Sequence, residues 1–208
     1  MRNIRSARVL IAVAMTVFAS LAPARAHHAK LVRPGETVGV VIPAISHGEM
    51  PVFAKYRAEI LDLAARRAQT DPTLRRLQGF ISLQGFACFW GLAPGALSDE
   101  ASPFNECAHG YIAGARALLD HMAEMPGDRR EAKALQNRIA ADLARDPAAS
   151  AICSSSNEAF DSGIVVGPDW SLTLTHVPTL MTVAGLLLTV SGGLVFALAS
   201  HRRRTTKA

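Results

Sequence analysis

Five stretches of this chain carry side chains able to bind a metal or move a proton. If the chain is cut after Ala26, it begins His27-His28, and a free amine beside an imidazole is a chelate for Cu(II). The competing use is a flexible polar leader. Ser46-His47-Gly48-Glu49-Met50 places an imidazole, a carboxylate and a thioether within five residues. Ser46 and Glu49 also stand at capping-box spacing, which makes a helix start the alternative. Glu106-Cys107-Ala108-His109 contains one Glu-x-x-His step; a di-iron bundle needs two such steps and two further carboxylates, so no di-iron centre is expected. His121, Met122 and Met125 bring soft ligands together, which favours Cu(I), although Met122 also falls on an apolar stripe. His121 at a helix end gains from the dipole in any case. The fifth set is Cys88, Cys107 and Cys153: one disulfide and one free thiol, with three pairings open.

No catalytic set is assembled by spacing. Ser154 to Ser156 and Asp161 have no His at an interpretable interval, and a Ser-rich stretch after a helix is ordinarily a solvated loop or cap. The sequence has no Gly-rich phosphate loop and no HExxH pair. It also lacks a nucleophile elbow. The expectation is a non-enzymatic protein without a cofactor, copper being the alternative.

The elements that must position these residues begin at the ends of the chain. Val177 to Ser200 holds no charge and stops at His201-Arg202-Arg203-Arg204. At 1.5 Å per residue such a helix reaches about 36 Å, enough for a hydrocarbon core of roughly 30 Å. Arg2, Arg5 and Arg8, the apolar run from Val9 to Ala22 and Ala24-x-Ala26 have the order of a cleaved secretory signal over residues 1–26. The basic tail, residues 201–208 with Arg202, Arg203 and Arg204, then belongs on the cytoplasmic side. The expected location is a bacterial inner membrane, single-pass, with the N-terminal domain in the periplasm. A sorting tail removed after export is the rival reading of the same C-terminus.

Charge is read after this partition. The precursor carries 22 Lys and Arg against 17 Asp and Glu, a net charge of +5. Four of those cations lie in the signal and four in the tail, so the exported part holds 14 against 17, a net charge of −3. That balance gives no support to a nucleic-acid partner.

Between the ends, residues 27–48 form an extended lead-in, with Val38 to Ile42 a lone edge strand at most. Residues 49–162 carry helical periodicity. Phe53, Tyr56, Ile60 and Leu63 share one face of a first helix. Asp71-Pro72 caps a second, with Leu74, Leu77, Ile81, Gln84 and Cys88 on its stripe. Phe80, Phe86, Phe89 and Trp90 make that helix apolar nearly all round, which marks it as the central one. Ser102-Pro103 opens a third with Phe104, Cys107, Tyr111, Ala115, Leu118 and Met122. A fourth runs from about Asp128 to Ala144, and Asp146-Pro147 starts a short fifth through Ile152. Residues 163–176 are a juxtamembrane connector carrying Trp170, an interface side chain.

The expected fold is mainly α: a compact periplasmic helical bundle of four to five helices with an extended N-terminal segment, plus one C-terminal transmembrane helix over 177–200. Gly185, Thr189 and Gly193 make one small-residue face for self-association. Gly110-Tyr111-Ile112-Ala113-Gly114 with a nearby Cys resembles, over five residues, the helical immunity proteins that neutralise type VI amidase effectors. A membrane tail is not part of that pattern, and no expectation is taken from it. A tether, a well-patterned helical domain and no catalytic set predict an accessory or protein-interaction factor of a cell-envelope complex. Periplasmic copper handling is the alternative.

Overall fold

The computed structural model describes residues 39–66, 71–127 and 129–205, with side chains as far as residue 196. The signal segment, His27, His28 and most of the lead-in lie outside the described residues, as do the side chains of Arg202, Arg203 and Arg204. Among the described residues the protein is mainly helical: α1 (Met50–Ala65), α2 (Pro72–Ala87), α3 (Asn105–Glu124), α4 (Arg129–Leu143) and α5 (Val177–Thr205). Two short strands, β1 (Val41–Ile42) and β2 (Phe160–Asp161), pair antiparallel, Ile42 opposite Phe160.

Helix starts follow their caps. The Asp71 carboxylate accepts the Thr73 N–H at 2.6 Å and Pro72 takes the first helical position of α2. Ser46 and Glu49 do exchange capping-box bonds: the Ser46 N–H donates to Glu49 Oε2 at 3.0 Å and the Glu49 N–H to Ser46 Oγ at 3.3 Å. They do so in the turn ahead of α1, which starts only at Met50.

The central helix is α3, not α2 as the aromatic-rich sequence suggested. It packs on α1, α2 and α4, and from Cys107 to Ala115 every residue is buried. Ala108, Gly110, Ala113, Gly114 and Ala115 keep its surface thin enough for neighbours to approach from all sides. A Cβ at Gly110 would lie 3.2 Å from the Phe160 ring, so glycine is what seats β2 on α3. The far half of α2 points its large side chains outward instead, Phe86 being 83% exposed. The core of α2 is Leu74, Leu77, Phe80 and Ile81.

Two further corrections concern the connections. The segment from Asp146 to Ile152 is a series of turns and not a fifth helix, because Asp146 Oδ1 takes the Ala148 N–H and the carbonyls of Ala149 and Ala151 accept bonds from Ser46 and Gly48. The strand at Val41 is not alone, since Phe160 and Asp161 supply its partner.

Cys88 and Cys107 form the disulfide, with Cα atoms 5.6 Å apart, and Cys153 is the free thiol. The bridge ties the end of α2 to the start of α3. Closing a loop of this size stabilises a fold by about 3 kcal/mol on a chain-entropy account. Buried Gln84 braces the same corner: its amide donates to the carbonyls of Cys107 and Val166, and its carbonyl accepts the Val166 N–H at 2.9 Å. The apolar stretch Val177–Phe196 of α5 is long and apolar enough to cross a membrane.

Candidate metal centre

The β1–β2 pair sets two loops side by side over the N-terminal half of α3. Five residues beyond Ile42 comes His47; seven before Phe160 comes Cys153. Beneath them, α3 presents His109, which is wholly buried. One ring nitrogen from each histidine and the Cys153 sulfur lie within 4.8 Å of one another. The closest approach is His109 Nε2 to Cys153 Sγ, 3.2 Å, and the two imidazole rings stand 5.7 Å apart.

Each loop is locked in place by the other. The buried Ser156 hydroxyl accepts the His47 N–H at 3.0 Å and the Cys153 N–H at 2.8 Å. It turns its own proton to Cys153 Sγ at 3.4 Å, and the Ser156 backbone N–H also points at that sulfur. These are donors of the kind a metal-bound thiolate accepts. The Gly48 N–H donates to the Ala151 carbonyl at 2.9 Å, and a Cβ at Gly48 would stand only 1.9 Å from the Ala148 carbonyl oxygen, so no other residue fits. Arg116 of α3 reaches Glu49 Oε2 at 3.3 Å and fixes the far side of the His47 turn.

Burial decides the charge state of one of these side chains. Burial, with a smaller push from His47, lowers the His109 imidazole from 6.5 to about 4 against the opposing pull of the Ile45 carbonyl. It is neutral at physiological pH, which is the form that ligates metals. The buried Nδ1 of His47 has no hydrogen-bond partner among the described residues. Leaving such a group unpaired costs about 1 to 3 kcal/mol.

Of the residues expected to bind copper, His47 alone enters this cluster; His109 and Cys153 come from the Glu-x-x-His step and the cysteine set, neither of which was expected to bind a metal. Met50 is wholly buried in the hydrophobic core of α1. His121 Nε2 sits 2.9 Å from Asp71 Oδ2, and that contact, with the Thr73 N–H, holds the Asp71 carboxyl below its ordinary value. Met122 is core and Met125 packs against it. Glu106 is exposed while His109 is buried, so the Glu-x-x-His step does not act as a unit. Partial loss of water around the Glu106 carboxyl, with the nearby charges of Glu158 and Asp169, raises it above its ordinary value. Ser156, read as part of a solvated loop, is instead the buried clamp of the site. The signals that could have found the cluster are the odd cysteine and His109, which falls off the apolar stripe of α3.

Comparison of the chain with protein-family models, with curated proteins and with solved structures finds no match.

Proposed function

We propose that this chain is a membrane-tethered copper-handling protein whose ligands are His47, His109 and Cys153. The convergence of two imidazoles and one free thiol from three separate segments carries the reading. Structural zinc takes four protein ligands in a closed tetrahedron. A set of two His and one Cys is the trigonal arrangement that suits copper, and the partly exposed Cys153 leaves one side open for a donor or an acceptor of the ion. The role is therefore carriage and transfer, a non-enzymatic accessory task within a cell-envelope complex.

The setting is the periplasmic face of a bacterial inner membrane. The basic-then-apolar N-terminus with its small-residue cleavage site supports export, and the apolar α5 followed by arginines supports a single span with a cytoplasmic tail. Helices α1 to α4 then form an exported helical bundle. The Cys88–Cys107 disulfide fits an oxidising compartment, in which metal occupancy would protect the free Cys153 thiol.

The test is a Cu(I) titration of the full chain in detergent against a chromophoric chelator. One ion per chain, lost in Cys153→Ser and in His109→Gln, is expected. Binding unaffected by either change would retire this reading.

A further inference from the structure

Helix α2 ends in a geometry that ordinarily selects glycine. The Trp90 N–H donates to the Gly85 carbonyl at 3.0 Å and the Phe89 N–H to the Phe86 carbonyl at 3.1 Å, the paired bonds of a Schellman stop. The residue just past the helix end, the second of these two donors, must be left-handed, and here it is Phe89 at φ +48°. An aromatic side chain at that position is strained where glycine would not be. Strain of this kind points to a use for the side chain.

That use is outward. Phe89 is half-exposed and meets Trp170 edge-on at 6.3 Å and Phe104 at 6.2 Å. Trp90, the next residue, turns the other way, against Tyr111 at 4.4 Å with the Arg57 guanidinium over it. Phe86, Leu92 and Leu174 are more than three-quarters exposed, and Trp170 more than half. Leu174 lies three residues before the span. The start of α5 is fixed to the turns that follow Leu92: His176 contacts Thr179 Oγ1 at 2.7 Å and Asp99 Oδ2 at 3.0 Å, and its carbonyl accepts the Leu180 N–H.

We infer that Phe86, Phe89, Leu92, Trp170 and Leu174 form a membrane-seating face, and that its occupant is the interface of the bilayer that α5 crosses. The inference rests on α5 being a span. Trp170 and Leu174 directly precede that helix, Trp170 touches Phe89, aromatic side chains are the kind that favour a membrane interface, and a helix end is strained to present one. The domain therefore lies on the bilayer instead of swinging from a tether.

The full chain, with Trp90→Phe and Trp170→Phe, is reconstituted into vesicles of phosphatidylethanolamine and phosphatidylglycerol containing brominated lipid, carrying one tryptophan reporter at a time. Leu187→Trp reports on the span, and Phe86→Trp and Leu92→Trp report on the patch. Expected is quenching of Leu187→Trp by bromines deep in the chains and of both patch reporters, by about twofold or more, by bromines near the headgroups. Patch reporters that stay open to aqueous iodide while Leu187→Trp is quenched would overturn the seating face and leave its apolar side chains to a protein partner. A silent Leu187→Trp would overturn the span and the seating face together. Phe89→Gly separates fold from function: it should keep or raise the melting temperature while weakening quenching at Leu92→Trp. A lowered melting temperature with quenching unchanged would show that Phe89 serves the fold alone.

Discussion

The Cys153 sulfur lies 3.2 Å from Nε2 of His109, although 44 positions separate the two residues in sequence. Neither residue is near a chain end, and neither lies in a regular element with the other. Their meeting depends on β1 and β2 pairing over α3 and on the hydroxyl of Ser156. The consequences can be measured one support at a time.

Ser156→Ala removes the acceptor shared by the His47 and Cys153 N–H groups. Two partly buried donors are then left unpaired, and the metal-free fold should lose about 1 to 3 kcal/mol in a urea titration. Copper affinity should fall about 10- to 100-fold, the usual cost of losing a group that orients a ligand. Ser156→Thr keeps the hydroxyl and should recover most of the affinity.

Gly48→Ala forces a methyl group into the Ala148 backbone carbonyl, with no flexible side chain to yield. The expected loss exceeds about 2 kcal/mol, in the range of overpacked cores. Gly79→Ala is the matched control. That glycine is exposed in the middle of α2 with nothing within 4 Å of its would-be Cβ, and alanine there should stabilise by about 0.5 to 1 kcal/mol.

The His109 imidazole is held down near 4 in the fold and returns to 6.5 on unfolding. Above the unfolded value both states are neutral, and this residue adds no pH dependence. As pH falls through 6.5 the unfolded chain takes up a proton that the folded chain refuses, so stability drops until about pH 4. The full loss approaches about 3 kcal/mol. The carboxyls held low by hydrogen bonds, Asp71, Asp99, Asp142 and Asp169, act only below their ordinary value of 3.8, whereas the raised Glu106 carboxyl works in the opposite sense above 4.5 and is common to the native chain and the His109 variant. Urea midpoints of the metal-free chain between about pH 7 and pH 5 should fall for the native protein and stay flatter for His109→Gln.

Much of the helical scaffold could be read in the sequence because caps and stripes are local. Asp71-Pro72 starts α2, and Leu74, Leu77 and Ile81 face inward on it as their spacing predicts. The choice of central helix went astray because large aromatic side chains suggest burial, whereas Gly110, Gly114 and the alanines of α3 obtain it by letting others come close. The odd cysteine announced a free thiol, but which of the three it was depends on tertiary approach. His47 could be singled out as a ligand type within its own loop. That it meets His109 and Cys153 follows from a two-residue strand pair and one serine, and neither has a periodicity to detect.

X-ray absorption at the copper edge, on the full chain loaded with one equivalent of Cu(I), tests the metal centre most directly. One sulfur at about 2.2 to 2.3 Å and two imidazole nitrogens at about 2.0 Å are expected, with the sulfur shell lost in Cys153→Ser. A spectrum of nitrogen and oxygen neighbours alone, unchanged by Cys153→Ser and abolished by replacing His27 and His28, would place the ion at the chain's N-terminus and contradict the proposed site.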